Sequence, residues 1–368
     1  MEIKYPIYNR SFTGNEKKYV LDCIDSTWIS SRGSYIEKFE HKFAEYTGAT
    51  HATAVNNGTA ALHLALMALG IGYGDEVIVP DFTYIATANA VKYTHATPVF
   101  ADALSHNWQI DPAEIKRKIT ARTKAVIVVH LYGAACNMDE IVSICKEHKL
   151  YLIEDCAEAI GTIYKGKHVG TFGDISAFSF FGNKTITTGE GGMVISDSKE
   201  LIEKAFHIKN QGVTSKVYWH DVLGYNLRMT NICAAIGLAQ LEHIDEILAN
   251  KLRVANAYRE AFRDSAVEMH KQEEGTLHSY WMVSILIEKA DLREPLARYM
   301  REHGIDSRPL FYPCHIMPVY AETNDGDFPV TDQLSYRGLN LPSFPELTNE
   351  DVKYIAGTIL DFLKDNAE

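Results

Sequence analysis

This chain of 368 residues has little of what marks secreted, membrane-embedded or metal-built proteins. Its six cysteines, Cys23, Cys136, Cys145, Cys156, Cys233 and Cys314, are scattered without a C-x-x-C pair. They read as reduced, buried small residues rather than a disulfide frame. Fifteen histidines include no H-E-x-x-H or similar ligand spacing, so His51, His63, His303 and His315 read as ordinary core or surface residues and no metal is expected. No apolar run approaches membrane-spanning length, and the opening "MEIKYPIYNRSFTGNE" lacks the apolar stretch of a secretory signal. Positive charge is also in short supply. Lys and Arg number 36 against 48 Asp and Glu, a net charge of -12, and no basic helix-turn-helix segment stands at either end. That argues against a general nucleic-acid binder. An anionic ligand held by backbone N–H groups at helix starts stays open.

What is present is ordinary globular material, with 46% hydrophobic and 23% charged residues. The length fits a large domain and a smaller one. "EKFEHKFAEYTGAT" is predicted helical, because Phe39, Phe43 and Tyr46 recur at helical spacing and Gly48 ends the run. "HATAVNNGTAALHLALMALGIGYGDEVIVP" gives a strand, a small-residue turn, an apolar helix closed by Gly70 and a second strand. "TPVFADA", "KAVIVVHLYG", "YLIEDCAEAIG" and "ISAFSFF" are further short apolar runs, with helical stretches such as "MDEIVSICKEHKL" between them. Strands alternating with helices predict βαβ units and a mostly parallel sheet, an α/β fold with ligands at the carboxyl ends of the strands. From about Leu248 the texture changes to a long linking helix, the strand-like "SYWMVSILI", a Pro-rich loop and a terminal helix. The expected division is a large domain over 1–248 and a small α/β domain over 249–368.

Four features could build one site. In "NNGTAALHLAL", Gly58 and Thr59 stand where a helix begins and offer free N–H groups and a hydroxyl to a phosphate; a plain helix cap by Asn57 or Thr59 is the alternative. In "LIEDCAEAIG", Glu154 and Asp155 close an apolar strand, so at least one carboxylate should stand at the sheet's carboxyl end, where it can hold a protonated ring nitrogen or merely cap a helix. In "DFTYIATANA", Phe82 or Tyr84 could stack on a planar ligand or pack in the core. "FFGNKTITTGEGGM" places Ser179, just before it, and Lys184 five residues apart across a turn, with Gly189, Gly191 and Gly192 permitting close backbone approach. A lysine amine sheltered from water can act as nucleophile and base; a surface lysine is the bland alternative. A phosphate cup, a stacking ring, a carboxylate for a ring nitrogen and a lysine, in that company, make up a pyridoxal phosphate (PLP) site.

Those stretches, together with "GYNLRMTNICAAIGLAQLE" and "RPLFYPCH", resemble the DegT/DnrJ/EryC1/StrS family of nucleotide-sugar aminotransferases over essentially the whole chain. The resemblance implies a PLP-dependent transferase of fold type I, aspartate aminotransferase-like, working in the cytoplasm as a homodimer with sites at the subunit interface. It implies that Lys184 binds the cofactor covalently and that Asp155 pairs with its ring nitrogen. It makes Tyr84 the stacking ring, and Gly58, Thr59 and Ser179 the phosphate contacts. Asn226 would reach the neighbouring subunit's phosphate, with Arg228 close behind. Many members carry Gln near the cofactor's hydroxyl where this chain has Glu158. Dehydratase relatives carry His in place of the lysine, so Lys184 implies transamination. The implied substrates are L-glutamate and a GDP-linked 4-keto-6-deoxy sugar aminated at C4, in O-antigen synthesis; the alternative is another 4-keto or 3-keto sugar, UDP- or dTDP-linked. Arg32, Arg308, Tyr312 and His315 are the candidate substrate contacts, with a surface ion pair as the other reading of each arginine. Trp219 is expected to pack at the dimer interface. The sequons at Asn57 and Asn183 fall inside the expected site, where a glycan would block it, which fits a cytosolic protein.

Overall fold

A computed structural model describes residues 3–323 and 326–366. Its centre is a seven-stranded sheet in which His51–Val55, Gly192–Ser196, Ile175–Ser179, Tyr151–Asp155, Thr123–Val129, Glu76–Pro80 and Thr97–Ala101 lie side by side in that order. Gly192–Ser196 runs against both of its neighbours, and every other adjacent pair is parallel. The parallel strands are apolar through their length because helices cover both faces of the sheet. One face packs with Phe39, Phe43, Met138, Ile141 and Leu238. The other packs with Leu62, Leu66, Val91, Ile202 and Ile208.

The helix Gly58–Leu69 follows from its ends as much as from its apolar content. Asn57 Oδ1 accepts the N–H of Ala60 at 2.8 Å, and Gly70, at φ 77°, closes the last turn in the left-handed region. Ser34–Thr47 ends in the same way on Gly48, at φ 78°. Asn349–Asp365 begins in a reciprocal cap, with Thr348 Oγ1 accepting the N–H of Asp351 while Asp351 accepts the N–H of Thr348.

A second sheet of four strands, ordered Glu268–Met269, Val283–Leu286, Gly338–Leu341 and Arg308–Pro309, lies in the C-terminal third of the chain. Its core of Val254, Tyr258, Ile285, Met300, Ile355 and Ile359 also takes in Tyr5 from the other end of the chain, where Tyr5 bridges Ile305. Two buried carboxylates tie this part to the large sheet. Asp102 accepts N–H groups of Val330 and Thr331, and Asp81 accepts the N–H of His315. The strand Gly192–Ser196, hidden behind the glycine-rich turn, is the one element of the main sheet that the apolar runs did not mark.

Candidate active site

At the carboxyl ends of the central strands lies a cavity of about 530 Å³, within the usual size range for a cofactor site. Its wall includes Gly58 and Thr59 from the start of a helix, Asp155 and Ser179 from two strand ends, and Lys184 from the turn between Ser179 and Gly192. Tyr84, Glu158, Trp281, Arg308 and Phe311 complete much of the rest. Strand parity explains the grouping. Successive strand side chains point to opposite faces, and Asp155 follows Ile153 while Ser179 follows Ala177, both on the face covered by Gly58–Leu69. Glu154, one position earlier, shares the other face with Leu152.

The chemistry of these groups follows from their partners. Thr87 Oγ1 donates to Asp155 Oδ2 at 2.8 Å and the N–H of Ala157 donates to Oδ1 at 3.1 Å. Burial pushes the Asp155 carboxyl above its ordinary range, opposed by those two bonds and by the Lys184 charge. Lys184 Nζ stands 3.5 Å from Glu158 Oε1 and 3.9 Å from the centre of the Trp281 ring. Glu158 is buried, accepts the N–H of Tyr132 at 2.8 Å, and is pushed up by burial to about 7 against the pull of Lys184. It is therefore a carboxyl able to hold or release a proton near neutral pH, beside an amine.

Glu154 is held differently. Cys136 N–H donates to His130 Nδ1 at 3.2 Å, which leaves Nε2 as the protonated nitrogen, 3.0 Å from Glu154 Oε2. The N–H groups of Gly170, Phe172 and Gly173 also donate to Glu154, at 2.6 to 2.7 Å. Burial works against its charge, yet these donors hold it below the usual carboxylate range. His130, Glu154 and Cys156 offer ligand atoms within 4.8 Å of one another, but both ring nitrogens of His130 and both oxygens of Glu154 are already spent on hydrogen bonds of this network.

The residues present fit a phosphorylated ring cofactor. The N–H groups of Gly58 and Thr59, in the first turn of a helix, have no intrahelical acceptor, and they open into the cavity beside Ser179. A Cβ on Gly58 would come within 2.7 Å of Ser179 Cβ, and one on Gly192 within 2.6 Å of the Asn57 carbonyl oxygen. This cradle has room for an anion only while those positions stay glycine.

Not every expected residue lines this cavity. Gly58, Thr59, Tyr84, Asp155, Glu158, Ser179, Lys184 and Arg308 do. Phe82 is buried against Tyr132 at 6.3 Å, whereas Tyr84 is exposed and tilts on Phe311 at 5.7 Å, which separates the two aromatic candidates. His315 is buried with Nδ1 2.6 Å from Asp81 Oδ2, behind the wall. Tyr312 stands outside the lining and packs on Arg293. Arg32 and Asn226 are both exposed on this chain, with Arg228 Nε donating to Asn226 Oδ1 at 3.0 Å. Trp219 is exposed with Lys216 over its ring at 4.0 Å. Asn183, expected inside the site from its sequon, lines the cavity, whereas local motifs gave no warning of Thr87, Trp281 or Asn340. A lone Trp just ahead of an apolar strand was the faint signal for Trp281.

No helix among the described residues is long and apolar enough to cross a membrane. The DegT/DnrJ/EryC1/StrS aminotransferase family matches residues 11–360. The chain is 55% identical over 365 residues to GDP-perosamine synthase of Escherichia coli O157:H7, covering 99% of this chain and 100% of that one. It is 52% identical to GDP-perosamine synthase of Vibrio cholerae, covering 97% and 98%. A protein described as a sugar aminotransferase, Spr1654 of Streptococcus pneumoniae, solved in its PLP form, superposes with a TM-score of 0.93 at 25% identity over 99% of both chains. The chain therefore belongs to the DegT/DnrJ/EryC1/StrS aminotransferase family and is a PLP-dependent transaminase.

Proposed function

We propose that this chain moves the amino group of L-glutamate to C4 of GDP-4-keto-6-deoxy-D-mannose, giving GDP-perosamine and 2-oxoglutarate. The observation that carries the reading is one cavity walled by Lys184, Asp155, Ser179 and the start of Gly58–Leu69, in a chain 55% identical to a GDP-perosamine synthase. When bound, PLP supplies an electron sink for the pair released at the substrate carbon. The chain's own groups do the rest. Gly58, Thr59 and Ser179 hold the phosphate, and Tyr84 covers the ring. Asp155, fixed by Thr87 and Ala157, keeps the ring nitrogen protonated. Lys184 would hold the cofactor covalently at rest, and its Nζ, once free, is the base placed to take the proton from the α-carbon of glutamate and to deliver one to C4 of the sugar. Glu158, 3.5 Å from that amine, is placed to share its proton.

Assembly and setting belong to the same proposal. The chain works as a homodimer, with Asn226 reaching the phosphate in the partner's site and Arg228 close behind. The exposed side chains of Leu21, Ile24, Trp28 and Ile29 support a covered surface near Arg32, as do the exposed Val217, Tyr218, Trp219 and Leu223. Arg308, on the cavity wall, and the exposed Arg32 and Tyr312 are the candidate contacts for the nucleotide sugar, while His315 is taken up by Asp81. Residues 1–248 form the cofactor-binding domain and 249–368 the smaller one, in a cytoplasmic enzyme feeding O-antigen synthesis.

The test is optical. Purified protein should show a yellow band that bleaches with L-glutamate and returns on adding GDP-4-keto-6-deoxy-D-mannose. Recovery with a UDP- or dTDP-linked keto sugar instead would replace the sugar and keep the transaminase. Lys184→Ala should lack the band and the turnover while melting close to the wild type; undiminished turnover would overturn the role of Lys184.

A further inference from the structure

Lys184 sits in a stretch with neither helix nor strand, between the strand ends Ser179 and Gly192. Such a turn has its backbone carbonyls to satisfy; Thr187 and Thr188 serve those of Phe180 and Glu190, but the carbonyls next to Lys184 receive no bond from the turn's own side chains. Asn183 Oδ1 and Thr185 Oγ1 are buried without hydrogen-bond partners. Donors arrive from remote parts of the chain instead. Arg10 Nε donates to the carbonyl of Gly182 at 2.8 Å, and Arg10 Nη1 to that of Thr185 at 3.3 Å. Trp281 Nε1 donates to the carbonyl of Asn183 at 2.7 Å. The carbonyls of residues 182, 183 and 185 are thus gripped on both sides of Lys184, by residues 172 and 98 positions away along the chain.

The two grips differ in what lies behind them. Trp281 also meets the lysine itself, since Lys184 Nζ lies 3.9 Å from its ring centre. Its own backbone is anchored by Lys251, a buried amine whose Nζ donates to the carbonyls of Trp281 and Ser343 at 3.1 and 3.0 Å. Arg10 holds its part of the turn from the side away from the cofactor cavity, whose lining does not include it. A half-buried guanidinium is costly to keep, and burial holds that of Arg10 down to about 10, with Glu346 opposing. Lysine would replace it poorly, because Arg10 meets the two carbonyls from two different nitrogens of one planar group, a geometry that a single ammonium does not reproduce.

We propose that Arg10 and Trp281 are positioning residues for the amine of Lys184. They clamp the carbonyls around it so that Nζ stands where it can bond the cofactor and carry the proton. This rests on the reading of Lys184 as the cofactor's covalent partner. Proton transfer is sensitive to placement, and a misplacement of about 1 Å can cost on the order of 100-fold.

The experiment uses the PLP-loaded enzyme and its Arg10→Ala, Arg10→Lys and Trp281→Phe variants. Two quantities are read: the rate at which L-glutamate bleaches the yellow band in a single turnover, and the midpoint of that band's pH titration without substrate. Arg10→Ala should bleach at least about tenfold more slowly, with a displaced midpoint, and added guanidinium ion should restore part of the rate. Arg10→Lys should fall in between. Trp281→Phe, which keeps an aromatic ring but loses the donor and part of the indole, should slow bleaching by a smaller factor and also displace the midpoint. GDP binding should be unchanged in the Arg10 variants, because Arg10 lies outside the cavity. The clamp is overturned if Arg10→Lys and Trp281→Phe, both folded, match the wild type in rate and midpoint. It is also overturned if the rate falls while the midpoint stays and guanidinium does nothing, which is the signature of general loosening. Should Arg10→Ala fail to fold, the other two variants decide. A wild type without the band would instead defeat the reading of Lys184, a separate failure.

Discussion

Glu154 and Asp155 occupy successive positions of one strand and both are buried, yet their surroundings make opposite demands on them. Glu154 faces the side of the sheet covered by Phe43, Met138 and Ile141, where His130 and three backbone N–H groups meet its two oxygens. Its charge is fully answered inside the protein, and the loop around Gly170–Gly173 is built on it. Asp155 faces the cavity, with two donors and room for a third. Burial raises it because its answer is incomplete without a ligand. The lesson is that a carboxylate saturated by its own chain serves architecture, while one left short of a donor is available to a protonated ring nitrogen.

Asp155→Asn is the variant that should break the second half of that contrast. Transamination should fall by about 10³-fold, the scale of losing a group aimed at developing charge, while the melting temperature stays near the wild type. Steady-state rates beside a thermal melt check both. A wild-type rate would show that Asp155 is as structural as its neighbour. Glu154→Gln should do the reverse. Its amide would set one N–H against backbone donors, costing about 3 kcal/mol of stability, with the rate per folded molecule nearly kept. Denaturant unfolding with an active-site count reads it.

Glu158 tests whether a buried acid can lie between these extremes. Its carboxyl is raised from 4.5 to about 7 in the folded chain, so between those values the native state keeps a proton that the unfolded chain has released. Stability from this group is therefore present below pH 4.5 and declines as pH rises towards 7. In cofactor-stripped protein, Glu158→Gln should gain on the wild type across that window by roughly 3 kcal/mol, measured as the difference in unfolding free energy. A difference flat with pH would return Glu158 to the class of Glu154. The smallest effect expected is that of Ser179→Ala. Loss of one hydroxyl among several phosphate donors should weaken PLP binding about tenfold, a little over 1 kcal/mol, readable by cofactor titration.

Much of this was legible in the chain, and for local reasons. Phe39, Phe43 and Tyr46 recur at helical spacing and Gly48 and Gly70 stop their helices, so those elements follow from neighbours in sequence. The helix start at Gly58 was legible too, since a cap followed by small residues is a local pattern. Phe82 and Tyr84 were not separable, because which ring is buried depends on what packs over the strand end. His315 reads as a ligand candidate in "RPLFYPCH", yet its ring is engaged by Asp81, 234 residues away.

The sequence by itself determined the α/β alternation, the helix boundaries and the set of groups able to serve a PLP site. Each depends on residues a few positions apart, where propensity and capping act. Only the tertiary structure decided that Asp155 and not Glu154 opens to the cavity, that Glu158 meets Lys184, and that Arg10 and Trp281 hold the turn between them. Those are contacts across strand faces and chain ends, fixed by sheet order and packing, and no local pattern encodes who stands opposite whom.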